Sequence, residues 1–136
     1  MPSPSQGHAS ARVTLRSDAR ELRILRQHLR QFFAQHDVRA QLCDDLILVA
    51  NELTTNAIEA AALGSDVTVE VHVDPRRITL AVENVGPPFT LPDEVVLPDE
   101  SRPRGRGLAL TSRIVDDLCT EPMVDGTRIV ATCRRH

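Results

Sequence analysis

The chain has 136 residues, with 19 acidic and 16 basic side chains and a formal net charge of -3. Every basic residue is Arg, so chemistry that needs a Lys is excluded, including Schiff-base formation, a Walker-type phosphate Lys and the strand Lys of eukaryotic-type kinases. Tyr and Trp are absent and the aromatics are Phe32, Phe33 and Phe89, too few for a base-stacking reader of single strands, and the slightly acidic balance makes no electrostatic case for DNA or an anionic membrane as partner.

Residues 1–11 are rich in Pro, Ser and Gly and lack an apolar run. They are expected to form a flexible tail, neither signal peptide nor spanning helix, ahead of a single domain over 12–136. A strand is expected at 12–16. Asp18 followed by Glu21 then has the pattern of a capping box, and Leu22, Leu25, Leu29 and Phe32/Phe33 recur at helical spacing to about residue 36. Arg23, Arg26 and Arg30 fall on the other side and read as a solvated helix back. A second helix is expected over 38–63, with Leu42, Leu46, Val49, Leu53, Ala57 and Ala60 inward and Gly64 as its stop.

Alternation from Val67 to Val73, a turn at Asp74-Pro75-Arg76-Arg77 and renewed alternation from Ile78 to Asn84 predict a hairpin with one buried face. The stretch 85–104 holds five of the nine prolines, and a connection of that length in a compact domain reads as a functional lid or a disordered segment. Gly105-Arg106-Gly107 is expected to open a third helix through about Leu118. A final hairpin is expected over 119–133 with its turn at Asp125-Gly126. The resulting fold class is a two-layer α+β domain, a mixed, mostly antiparallel sheet with helices on one face. Cys43, Cys119 and Cys133 are odd in number and lack metal-type spacing, as expected for reduced thiols in a cytoplasmic protein with no zinc site.

Three segments carry chemistry. Glu52 and Asn56, four apart on the second helix, share one side at the edge of its apolar stripe. A carboxylate there can deprotonate a hydroxyl or a water, and an amide oxygen one turn on can bind Mg2+. Val82-Glu83-Asn84-Val85-Gly86 ends a strand with a polar side chain followed by a turn-forming Gly. Gly105-Arg106-Gly107-Leu108-Ala109-Leu110 opens a helix whose free amides and dipole can face a phosphate. Each segment alone also fits a plain structural role: a solvated helix edge, a turn and a loop-to-helix junction.

In this order and on these elements, the three segments resemble the N, G1 and G2 boxes of the GHKL superfamily of ATP-binding domains. The span from about Arg12 to Arg134 is similar to the small stand-alone proteins of the anti-sigma-factor serine kinase group, most closely in Val49-Ala50-Asn51-Glu52-Leu53-Thr54-Thr55-Asn56-Ala57 and in Gly105 to Leu110. The resemblance implies a Bergerat-type fold that holds ATP without a Lys. It implies Glu52 as general base toward a Ser hydroxyl of an antagonist protein and Asn56 as the Mg2+ ligand. It further implies Asn84 as the adenine reader with Gly86 beside the base, a lid over about 85–104, Arg104 or Arg106 at the γ-phosphate, and the amides from Gly105 through Gly107 to Leu108 facing the phosphates. A sigma factor and an anti-anti-sigma (antagonist) protein are the implied partners, and a homodimer the implied assembly.

The pattern also departs from the family's. The adenine-reading position is normally Asp and is Asn84 here, the second Gly of that box is Pro88, and the basic residue often found after the N-box Asn is replaced by Glu59 and Ala60. A neutral amide acceptor should lose roughly 1 to 2 kcal/mol, or about a tenfold affinity, against a carboxylate. Its N–H should also relax discrimination against guanine. These departures make the alternative function a catalytically weak or inactive nucleotide-binding module that docks partners. The catalytic domain of a histidine kinase and a gyrase-type ATPase are disfavoured on size.

Overall fold

The computed structural model describes residues 8–86 and 111–135. The lid segment beyond Gly86, the Gly105 to Leu110 box and residues 1–7 lie outside the described residues.

Strand β1 (Ala9–Arg16) leads through a 3-10 turn (Ala19–Glu21) into α1 (Leu22–Gln35) and α2 (Ala40–Ala60). Strands β2 (Asp66–Val73) and β3 (Arg77–Val85) follow, and β4 (Asp117–Pro122) and β5 (Gly126–Arg134) close the domain. The sheet order is β1-β2-β3-β5-β4, and each described pairing is antiparallel. The expected α+β class holds, with an antiparallel rather than mixed sheet among the described strands. Val67, Val69, Val71, Val73, Ile78, Leu80, Val82, Ile129 and Ala131 bury one face against Leu25, Leu29 and Phe33 of α1 and Leu42, Leu46, Val49 and Leu53 of α2. The period of 2 in the strands and 3.6 in the helices thus meet in one core.

The opposite sheet face is polar. Arg128 there bonds Glu83 at 2.5 Å and lies 3.4 Å from Glu121 and 3.8 Å from Glu70, which also pairs with Arg12. These half-exposed pairs hold register and contribute modestly to stability.

The boundaries differ from expectation where tertiary bonds intervene. Strand β1 begins at Ala9, so Ala9–Ala11 belong to the ladder with Val71–Val73 instead of to the tail. Small residues give no apolar signal, and the ladder itself recruits them. The capping box is also rearranged. Asp18 accepts the Arg20 N–H at 2.9 Å, while the Glu21 carboxylate reaches back to the Arg16 N–H. The Arg20 side chain, by hydrogen bonding Asp18, holds that carboxyl below its usual range.

Helix α2 stops three residues before Leu63. Ala61 turns extended and the Ala62 N–H is taken by the Val85 carbonyl at 2.7 Å, which draws the chain to the end of β3. Helical structure at residues 111–114 ends well before Leu118. Asp116 donates its N–H to the Thr132 carbonyl at 2.8 Å and accepts from the Arg134 N–H at 2.6 Å, so the chain leaves the helix to join β5. The Asp74 turn forms as expected, its carboxylate accepting the Arg76 and Arg77 N–H groups at 2.7 Å each. The Arg76 amide, first, and then that of Arg77 hold the Asp74 carboxyl below its ordinary value.

Arg135 ties three corners together. Its guanidinium donates to the carbonyls of Asp74 (3.0 Å), His36 and Asp37 (3.1 Å each). Asp37 takes a left-handed φ of 57° at the α1–α2 corner, a conformation that needs such outside support. Arg135→Ala is expected to cost about 2 kcal/mol, since three charge-assisted bonds to partly solvated carbonyls are lost. Thermal unfolding should then show a Tm lower by roughly 5 °C.

Candidate functional site

Helix α2 and the end of β3 bring two of the three motif segments together. Glu52 and Asn56 lie four residues apart on α2, both half-buried. The Glu52 Oε1 and Asn56 Nδ2 atoms are closed off from solvent, and Asn56 Nδ2 has no hydrogen-bond partner among the described residues. Leaving a buried donor unpaired costs about 1 to 3 kcal/mol. An acceptor arriving from outside, a phosphate oxygen or a water, would remove that cost.

Asn84 is 3% exposed and faces inward from β3, opposite Val67 on one side and Thr127 on the other. Its Nδ2 donates to the carbonyl of Ala57, the residue after Asn56, at 3.2 Å. The Thr127 N–H donates to its Oδ1 at 3.1 Å. One side chain thus joins the strand end to the helix that carries Glu52 and Asn56. Gly86 fits against the same helix end. Its φ is 155°, and a Cβ there would lie 2.7 Å from the Ala60 carbonyl oxygen and 2.9 Å from the Ala62 nitrogen. The Gly is required by this close approach as well as by its backbone angle.

One contact was hidden in the sequence. Arg26 is half-buried, and its Nη1 donates to Asn51 Oδ1 at 2.8 Å, crossing from α1 to the residue before Glu52. Arg23 and Arg30 are exposed, as the solvated-back reading expects. Arg26 sits one turn from both Leu22 and Leu29, which marks the edge of the buried stripe and was the available signal. Thr55 Oγ1 bonds the Asn51 carbonyl at 2.7 Å, so Asn51 is held at both its side chain and its backbone. Arg104, Gly105, Arg106, Gly107 and Leu108 lie outside the described residues.

A sequence profile for the histidine kinase-like ATPase domain matches residues 15–133. The chain belongs to that family. No curated protein matches its sequence. Among solved structures, this histidine kinase-like ATPase domain is similar to the RsbU and RsbW domains of Rv1364c from Mycobacterium tuberculosis, at 18% identity with a TM-score of 0.70. That match covers 93% of this chain and 32% of the other, so the domain spans about a third of the length of that chain. It is also similar to the catalytic domain of the histidine kinase ThkA in a nucleotide-free form, at 16% identity and a TM-score of 0.55, covering 93% of this chain and 96% of that one. Both likenesses concern the fold.

The donor set suits Mg-ATP. Among the described residues no three His, Cys, Asp or Glu side chains gather into a metal cage. A single amide oxygen from Asn56 fits Mg2+, which keeps waters and substrate phosphates as its other ligands. Burial, foremost, pushes the thiols of Cys43, Cys119 and Cys133 above their ordinary value. A groove of about 410 Å³ on the polar sheet face, lined by Arg12, Glu70, His72, Thr79, Ala81 and Arg128 among others, contains none of the residues expected to meet nucleotide. No described helix is long and apolar enough to cross a membrane.

Asn84→Asp would install the residue that the GHKL boxes normally carry, yet it is expected to destabilise the domain in a pH-dependent way. A carboxylate here would face the Ala57 carbonyl where Nδ2 now donates. That contact and burial raise the carboxyl's folded pKa above its unfolded value of about 3.9. The protonated acid can still donate to Ala57, so little stability is lost near pH 4. The loss grows as pH rises through the raised folded value, toward about 3 kcal/mol at pH 8. Melting curves of the variant and the wild type at the two pH values measure it; a Tm gap that stays constant with pH contradicts the assignment.

Proposed function

We propose that this chain is a Mg-ATP-dependent regulator of the anti-sigma-factor kinase type, which phosphorylates a Ser on an antagonist protein and otherwise sequesters a sigma factor, working as a cytoplasmic homodimer. The observation that carries the reading is the Asn84 clasp. It sets the strand end that would read the base against the helix bearing Glu52 and Asn56, within a chain of the histidine kinase-like ATPase family. Bound Mg-ATP would supply the phosphoryl group with part of its charge already neutralised.

This chain's own residues do the rest. Glu52 takes the proton of the seryl hydroxyl as that oxygen bonds the transferred phosphorus, and ADP leaves with the electron pair of the broken bond. Asn56 would hold the metal through Oδ1, leaving Nδ2 for a phosphate oxygen or a water. Asn84 and Gly86 would line the base position, and Gly105 to Leu108 with Arg104 or Arg106 would meet the phosphates. Positioning and charge neutralisation are most of what phosphoryl transfer asks of a protein.

Incubating the chain with γ-labelled ATP, Mg2+ and its cognate antagonist should place label on a Ser of the antagonist. Absence of transfer with the true partner removes the kinase assignment. A second reading, a docking module without catalysis, is favoured by Asn84, whose amide already spends bonds on the backbone at both ends. In that case partner binding survives Asn56→Ala unchanged. Under the kinase reading it weakens together with Mg-nucleotide affinity.

A further inference from the structure

The groove of about 410 Å³ on the polar sheet face is built around Ala81. Leu80 and Val82 point into the core, so Ala81 between them faces the other way. It is nevertheless 3% exposed, because its methyl group is ringed by longer side chains that leave a hollow above it. Arg128 forms one wall. Its guanidinium bonds Glu83 at 2.5 Å and lies 3.4 Å from Glu121, so carboxylates from two strands fix its position. Ser10 and His72 line the other side, sharing a hydrogen bond of 2.8 Å, and the His8 ring tilts against His72 with centroids 5.8 Å apart. Walls fixed before a ligand arrives lose less freedom when it binds.

Between these walls, a cation and an anion stand side by side without a hydrogen bond. Arg12 and Glu70 are cross-strand partners. Arg12 lies 3.6 Å from one Glu70 carboxylate oxygen and Arg128 lies 3.8 Å from the other, both beyond hydrogen-bond reach. The Arg12 side chain is 65% exposed, so its fork of donors is open to a planar carboxylate. The Glu70 oxygens beside it can take an ammonium. We propose that this groove binds a free α-amino acid, with its carboxylate on Arg12, its ammonium on Glu70 and its side chain over Ala81 toward Thr79. A simple anion would meet repulsion from Glu70, and a simple cation repulsion from Arg12. The two ends of a longer peptide stand too far apart to meet both, whereas an amino acid carries both charges on one carbon. None of the residues assigned to nucleotide lines the groove, so the inference does not rest on that reading.

Titration of the isotope-labelled full chain with glycine, L-serine, L-glutamine, L-leucine and L-phenylalanine, followed through backbone amide shifts, tests this. The expected result is saturable shifts around Arg12, Glu70 and Ala81 with at least one of the five, at a Kd of about 1 mM or below. Two analogues of the tightest binder, one lacking the amino group and one with the carboxylate converted to a carboxamide, should bind at least about tenfold more weakly. Arg12→Ala and Glu70→Gln should weaken the tightest binder by a similar factor. Absence of saturable shifts at those residues with all five overturns the inference. Equal binding of the analogue without the amino group also overturns it, since a carboxylate alone then suffices, and equal binding of the carboxamide replaces it with a plain cation site. The analogues are read on the wild-type chain, so the outcome does not depend on the variants folding.

Discussion

Replacing Glu52 with Ala should reduce phosphoryl transfer to a seryl partner by at least about a hundredfold, the lower end of what a positioned general base contributes. Nucleotide affinity should stay within about twofold of wild type. The distinction matters because Glu52 is half-buried on a helix that also packs the core, so a loss of activity alone could reflect a disturbed helix. Glu52→Gln keeps the size and most of the packing while removing the basic lone pair, and it should be as inactive as the Ala variant. Asn56→Ala should instead lose Mg-nucleotide affinity along with rate, since its oxygen would hold the metal in ground and transition states alike. Substantial transfer by Glu52→Gln in a single-turnover assay would take the base role away from this residue.

Gly126→Ala should be strongly destabilising, since the added methyl group meets backbone of the neighbouring strand. Gly126 opens β5 opposite Val85, and a Cβ there would lie 1.8 Å from the Asn84 carbonyl oxygen and 2.8 Å from its carbonyl carbon. The obstacle is paired backbone, which has no rotamer to move to, so the strands must part or lose register. A cost of at least about 4 kcal/mol is expected, a large share of the total for a domain of this size, with Tm falling by roughly 15 °C or folding lost. Gly64→Ala is the control. Gly64 has a φ of 80° but open space around it, so that change should cost only about 1 kcal/mol. Similar Tm values for the two variants would show that backbone angle, rather than the contact with Asn84, sets the cost at Gly126.

What the sequence revealed and what it concealed divide along the range of the interactions involved. Leu22, Leu25, Leu29 and Phe33 announce α1, and the Asp74 turn announces itself, because each is decided by neighbours within a turn or two. Ile114, Val115 and Leu118 satisfy a helical spacing equally well, yet the ladder to β5 claims the chain from Asp117 onward. Arg26 looks like any surface Arg until Asn51, 25 residues away, is placed beside it.

The candidate site divides in the same way. Glu52, Asn56, Asn84 and Gly86 stand out in the sequence as candidates, and the fold brings the end of β3 against the helix that carries Glu52 and Asn56. The polarity of the Asn84 amide was not legible there, because it depends on Thr127, 43 residues later, and on where α2 ends against β3. A replacement that looks like a weakened adenine contact in the sequence is, in the fold, a fixed connector between helix and sheet.

The position of β5 also bears on the order in which the domain can be made. It is the last of the described strands in sequence but not the last in the sheet, standing between β3 and β4. Among the described strands β4 has no other neighbour, and the N–H that fixes Asn84 belongs to β5 as well. On a ribosome, β1, β2 and β3 can assemble with both helices while β4 waits without a partner. Only when residues 126–134 emerge do the sheet's final two strands and the Asn84 amide take their places together. The Asn84 clasp therefore forms only after β5 emerges, and a nascent chain halted just short of β5 would carry Glu52 and Asn56 with Asn84 lacking the Thr127 N–H.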